Sequence, residues 1–72
     1  MKKDEDLKTI GEAIRIERLR RHLSQEQFAE LANVATFQHI GKIEKGDIDM
    51  RVSTLIKILR ALNLKFEDLI EL

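Results

Sequence analysis

Two short apolar segments, each with residues that begin and end a helix, lie between Ser24 and Gly46 and restrict the fold more than any other stretch. Ser24, with Gln27 three residues later, matches a capping box, which begins a helix. Asn33 tolerates a left-handed backbone and suits the end of that helix. Thr36 and Gly46 suit the two ends of the next helix. The sequence therefore predicts two short helices joined by a tight turn.

Residue size and spacing within this segment also predict how the two helices pack. Ala29 follows the apolar residue Phe28, and its small side chain allows a second helix to approach closely at a steep angle. This is the geometry of a helix-turn-helix. In the later of these two helices, the third of the chain, Phe37, Ile40 and Ile43 recur every third residue, so we expect all three in the core. The opposite face then exposes polar residues: Gln38, His39, Lys42 and Lys45.

The other segments predict three further helices. Helical spacing of apolar residues favours a first helix over residues 7–21, a fourth over Val52–Leu62 and a short fifth over residues 66–71. Residues 1–6 are mostly charged and are expected to form a flexible arm, which leaves residues 7–72 for the domain. The chain contains no proline and only three glycines. We therefore expect a compact all-α domain of five helices.

Composition argues against several classes of protein and of binding site. The absence of cysteine excludes disulfides and thiolate metal sites and fits the reducing cytoplasm. His22 and His39 stand in different segments, so neither a metal nor another cofactor is expected. Apolar runs do not exceed two residues, and hence no membrane span is expected. Neither a nucleophile–histidine motif nor a glycine-rich phosphate loop is present, so the sequence does not predict an enzyme.

The charge distribution bears on nucleic-acid binding. Thirteen basic and thirteen acidic residues give a formal net charge of zero, whereas nucleic-acid-binding domains are usually basic. Residues 15–46, however, include six basic and four acidic residues, an excess of two basic residues. Such a local patch still attracts a phosphate backbone. The neutral total predicts modest non-specific affinity for DNA.

Three stretches together resemble the Cro/phage-repressor (xenobiotic-response-element type) helix-turn-helix family. They are I-G-x-x-I-R over residues 10–15, L-S-Q-E-x-F-A-E-x-A-N-V over residues 23–34 and I-x-K-I-E-K-G over residues 40–46. The resemblance extends over about residues 10–69. It implies a lambda-repressor-like domain that binds double-stranded DNA and acts as a transcriptional regulator, specifically a repressor.

The resemblance also implies where DNA would lie. The third helix would occupy the major groove, with Gln38, His39 and Lys42 toward the base edges. Glutamine can pair with adenine through two hydrogen bonds, and lysine can reach guanine or phosphate. Gln25, at the N-terminus of the second helix, would hold a DNA phosphate, because helix N-termini favour anions.

Five further residues receive roles from the same resemblance. Thr36 and Lys45 would meet the DNA backbone, and Arg51 would contact phosphate or the minor groove. Arg18 and Glu44 match the family's ion pair between the first helix and the end of the third. Such a pair, where buried, sets orientation more than it adds stability.

A few positions depart from the family pattern. The connection within residues 34–40 is one residue longer than in phage repressors, His22 and Asn33 stand where glycine is usual, and Glu17 replaces an apolar residue. Gly41 interrupts the third helix at a cost of roughly 1 kcal/mol in helix propensity.

A single recognition helix contacts only a few base pairs, so a homodimer on a palindromic operator is expected, with half-sites about 34 Å apart. The expected dimer surface lies on the fifth helix and the back of the fourth, although its residues equally suit a core: Ile58, Leu64, Phe66, Ile70 and Leu72. The alternative is a protein-interaction module of the same fold, such as an antitoxin-like partner of another protein. The zero net charge favours this alternative.

Overall fold

The structure, a computed structural model, describes the backbone of residues 3–69 and the side chains of residues 5–69. Its regular elements are helices only: α1 (Lys3–Arg20), α2 (Gln25–Ala32), α3 (Phe37–Lys45), α4 (Val52–Leu62) and α5 (Phe66–Leu69). This confirms the predicted all-α class and the five helices. None of the helices in the described part of the chain is long and apolar enough to cross a bilayer.

α1 begins earlier than the apolar pattern indicated. The predicted boundary was residue 7, but the helix already includes residues 3–6, which were expected in a flexible arm. Glu5 and Asp6 place negative charge in the first turn, where the helix dipole favours it. Thr9 Oγ1 also donates a hydrogen bond to the Glu5 carbonyl oxygen at 2.9 Å. Residues 1–2 lie outside the described residues.

The boundaries of α2 and α3 are those that the capping residues predicted. The Gln27 backbone N–H donates to Ser24 Oγ at 3.0 Å, and the Ser24 N–H donates to Gln27 Oε1 at 2.8 Å, which completes the capping box. Asn33 ends α2 with φ of 58°, and Gly46 ends α3 with φ of 75°. The Thr36 hydroxyl accepts a hydrogen bond from the first turn of α3 at 3.2 Å. Local side-chain chemistry therefore determines this part of the fold.

The core gathers residues from every helix of the described chain: Ile14, Phe28, Ala29, Ala32, Ile40, Ile43, Ile58, Leu62 and Leu69. Ile58 has no exposed surface and packs among them. Its assignment to a dimer surface was therefore wrong, because a second copy cannot reach a residue that the protomer's own core encloses. Leu64 and Phe66 are half-buried, and Ile70 and Leu72 lie outside the described residues.

Phe37, which was predicted in the core, is exposed instead. Val52 and Ile56 of α4, which helical spacing also predicted to face inward, are exposed as well. The exposed fractions of Phe37, Val52 and Ile56 are 40%, 72% and 42%. Residues three apart lie about 300° apart around a helix, so Phe37 and Ile43 differ by about 120° in direction. Ile43 faces the core, and Phe37 consequently lies at the rim of the buried face.

Gly11 allows α1 and α3 to cross in direct backbone contact. A Cβ atom at Gly11 would lie 2.3 Å from the Ile43 carbonyl oxygen and 2.8 Å from that of Glu44. A larger residue would force the helices apart, since atoms in proteins do not approach so closely. The depth at which α3 sits against the core therefore depends on this glycine.

Glu17, which replaces a usually apolar residue, belongs to a polar link between α1 and α4. Its carboxylate accepts a hydrogen bond from Arg21 Nη1 at 2.8 Å. Arg21 Nη2 then donates to the Leu62 carbonyl oxygen at 2.7 Å, at the C-terminal end of α4. The arginine satisfies a carbonyl that the helix leaves without an internal partner. The departure from the family pattern thus has a structural reason.

Candidate nucleic-acid interface

α3 presents one apolar and one polar face. Ile40, Ile43 and Glu44 are buried, whereas Gln38 and Lys42 are exposed. Residues four apart lie on the same face of a helix, so the amide and the ammonium group project from neighbouring turns. Three further predicted DNA-binding residues lie around them. Thr36, before the helix, and Lys45, in its last turn, are exposed, and His39 is half-buried.

A buried ion pair fixes the orientation of α3. Arg18 Nε donates to Glu44 Oε2 at 2.6 Å, and Arg18 Nη2 donates to Glu44 Oε1 at 3.1 Å. The two side chains are 9% and 3% exposed. Arg18 Nη1 donates in addition to the Leu23 carbonyl oxygen at 2.7 Å, just before α2. One guanidinium group therefore connects α1, the start of α2 and the end of α3, as the family resemblance implied for this pair.

Gln25 is tied to the same pair. It is the first residue of α2, and its Nε2 donates to Glu44 Oε1 at 3.1 Å. Because a side-chain amide has two N–H donors, this bond leaves a second donor beside the N-terminal turn of α2. Gly41 faces this amide closely, and a Cβ there would lie 3.6 Å from the nearest Gln25 atoms. The glycine thus leaves the edge of the exposed α3 face open next to Gln25.

A shallow depression brings Gln25 together with Lys45 on one side of α3. Its other lining residues include Arg15 of α1, which the sequence reasoning counted only as a contributor to local charge. The Arg15 side chain is 48% exposed, and its Nη1 lies 3.6 Å from Glu12 Oε2. Its place as the last residue of the first motif, I-G-x-x-I-R over residues 10–15, was the available signal for this residue.

An open cleft of about 470 Å³ lies on the other side of α3. It separates the α2–α3 turn from the loop before α4, and it brings His39 together with Arg51 and with Lys57, a residue that the sequence reasoning did not select. Arg51 occupies the N-cap position of α4 without a side-chain capping bond. Lys57 Nζ donates weakly to the Asn33 carbonyl oxygen at 3.5 Å. Basic groups therefore flank the exposed face of α3 on both sides, and each flank also carries a carboxylate, Glu12 in the depression and Asp49 in the cleft.

The structure thus divides the predicted DNA-binding residues into three neighbouring groups. Gln38 and Lys42 form the exposed centre, with Thr36 at its N-terminal end; Gln25 and Lys45 lie on one flank. His39 and Arg51 lie on the other. Within the described part of the chain, no three histidine or carboxylate side chains are grouped closely enough to hold a metal ion.

Comparison with known proteins places this geometry in a family. A helix-turn-helix family model matches residues 14–69, which is more than half of the chain. The structure is similar to the crystal structure of the restriction-modification controller protein C.AhdI from Aeromonas hydrophila, with a TM-score of 0.85 and 27% sequence identity over 92% of this chain and 98% of that chain. A search of curated proteins gave no significant match. With its buried ion pair, its capped α2 and α3 and the match over most of its length, the chain belongs to the Cro/phage-repressor type of helix-turn-helix family, whose members are DNA-binding transcriptional regulators.

Proposed function

We propose that this regulator binds a specific operator with α3 in the major groove and represses transcription. The observation that supports this most directly is the exposed polar face of α3. Gln38 and Lys42 project from it, while the buried pair of Arg18 and Glu44 fixes the helix against α1. A helix of about 10–12 Å diameter fits the groove, which is about 12 Å wide. Gln38 would bond adenine, and Lys42 would bond guanine or a phosphate.

The two flanks of α3 suit the two DNA strands that border the groove. On one flank Gln25 has a free amide donor at the N-terminus of α2, with Lys45 and Arg15 nearby. On the other flank Arg51 precedes α4 close to His39. Phosphate contacts of this kind set the register of a protein on DNA, and base contacts give the sequence preference.

We infer in addition that two copies bind a palindromic operator. A dimer doubles the number of contacted base pairs, and its two-fold axis requires the two half-sites to be inverted. Val52 and Ile56 support a surface on α4, because they are 72% and 42% exposed and stand four residues apart. Leu64 and Phe66 remain in the proposed surface, whereas Ile58 does not, since it belongs to the core.

Selection of bound sequences from random double-stranded DNA tests the proposal. We expect an inverted repeat with half-sites about one helical turn apart. Affinity for the selected site should fall steeply with salt, since each neutralised phosphate contributes about −0.9 to the slope of log K against log salt concentration. No enrichment, and no binding at low salt, would contradict the proposal and favour the protein-interaction alternative that the neutral charge suggested.

A second candidate narrows the biological role. The similar structure, C.AhdI, is named as a restriction-modification controller, and the match covers 98% of that chain. We propose control of a restriction-modification operon as one role for this cytoplasmic, non-catalytic regulator. A selected operator that lies upstream of restriction or modification genes would support that role, and an operator upstream of unrelated genes only would exclude it.

A further inference from the structure

Phe37 is an exposed aromatic residue at the point where α3 begins. It is 40% exposed, and its neighbours Thr36 and Gln38 are exposed as well. Aromatic surface in contact with water is unfavourable, because burial of apolar area is worth about 25 cal/mol per Å². The exposed part of the ring therefore gains from a ligand that covers it with an apolar group.

The surface beside Phe37 limits what that ligand can be. A groove between α2 and the start of α3 is lined by Phe37 together with Glu26 and Glu30 of α2. Two carboxylates repel a phosphate, so the DNA backbone is disfavoured on this side of the ring. Gln38 also lines the groove, and a glutamine side chain there can form hydrogen bonds with a base edge. An uncharged base edge is the part of DNA that fits here.

Only one base offers an apolar group in the major groove. Thymine carries a C5-methyl group there, and phenylalanine is among the side chains that contact it. We propose that Phe37 contacts a thymine methyl group and makes that thymine a determinant of operator specificity. This inference rests on the proposed placement of α3 in the major groove. It assigns to Phe37 a role in base recognition in place of the core position that its spacing suggested.

Replacement of thymine by deoxyuridine tests the contact, since it removes the methyl group and keeps Watson–Crick pairing. Loss of one buried methyl group, about 0.8 kcal/mol, corresponds to about fourfold weaker binding. Symmetric replacement in both half-sites would then weaken binding about fifteenfold. The assay is a gel shift on the selected operator, in which each thymine of the half-site is replaced in turn. We expect one thymine per half-site to show this loss and the others to show little.

Protein variants connect the effect to Phe37. Phe37→Ala should bind the thymine and the deoxyuridine operators equally, because the methyl group has lost its partner. Phe37→Leu should retain part of the discrimination, since leucine still offers apolar surface. Leu31→Ala is the matched control: Leu31 is 57% exposed on α2 but does not line the groove beside Phe37. Leu31→Ala should discriminate as the parent does, and circular dichroism should show that all three variants are folded.

The possible failures are distinguishable. If the parent binds no DNA, both the proposed function and this inference are overturned. Two outcomes would overturn only the contact with Phe37. In the first, the parent binds a selected operator but every replacement of a thymine weakens binding by less than twofold. In the second, the selected half-site contains no thymine. Unchanged discrimination in a folded Phe37→Ala variant would overturn it equally.

Discussion

The close contact of α1 with α3 makes Gly11→Ala a sharp test of the fold. The added Cβ would lie 2.3 Å from the Ile43 carbonyl oxygen, whereas carbon–oxygen contacts are ordinarily about 3.3–3.6 Å. The helices would have to separate by about 1 Å, and neither partner is a side chain that can rotate away. Overpacking of this kind costs about 1–3 kcal/mol, and contact with backbone favours the upper end. Better helix propensity returns about 1 kcal/mol, which leaves a loss of about 2 kcal/mol.

Gly41→Ala is the matched control, because Gly41 also lies inside a helix. Its Cβ would lie 3.6 Å from the Gln25 side chain, an ordinary contact. This variant should therefore gain about 1 kcal/mol from helix propensity. Urea unfolding followed by circular dichroism measures both effects. With a slope near 1 kcal/mol per molar urea, the midpoints should fall by about 2 M for Gly11→Ala and rise by about 1 M for Gly41→Ala. Equal stability of the two variants would show that α1 and α3 are not in direct backbone contact at Gly11.

Two further substitutions test the ion pair and the α2–α3 turn by the same unfolding assay. Glu44→Met leaves the Arg18 charge buried without its partner and should lower the free energy of unfolding by about 3–5 kcal/mol. The double variant Arg18→Met, Glu44→Met should recover most of that loss. A double variant as unstable as the single one would contradict the role of the pair. Asn33 has a φ of 58°, so Asn33→Ala should lower the free energy of unfolding by about 1–2 kcal/mol. Asn33→Gly should leave it nearly unchanged. Equal losses in the two variants would show that the left-handed backbone at this position does not determine stability.

The part of the fold that was predictable from sequence is the part that local chemistry determines. Ser24 and Thr36 cap helices through their own side chains, and Asn33 and Gly46 adopt the left-handed backbone that ends them. Each of these interactions spans only a few residues, so it can be identified without knowledge of the tertiary structure. The start of α1 was harder to predict, because no side-chain cap of this kind marks it in the sequence.

The errors concern residues whose surroundings only the tertiary structure supplies. An apolar residue of α4 looks the same whether it faces a core or a second copy, and Ile58 faces the core. Phe37 shares the spacing of Ile40 but lies at the rim of the buried face. Arg21 counted in the sequence only as one of the six basic residues between positions 15 and 46, yet it bonds the end of α4, which is 41 residues away in the chain. Long-range contacts of this type leave no periodic pattern.

The proposed contact of the exposed α3 face with DNA bases can be measured as the affinity of α3 variants for the selected operator. Gln38→Ala should weaken binding by about 1–3 kcal/mol and relax the preference at one base pair, and Lys42→Ala should weaken binding by a similar amount. Lys65→Ala is the control of equal charge, since Lys65 is exposed in the connection between α4 and α5. We expect losses of about 5- to 150-fold for the two α3 variants and near-parental binding for Lys65→Ala. Parental affinity of both folded α3 variants would contradict it.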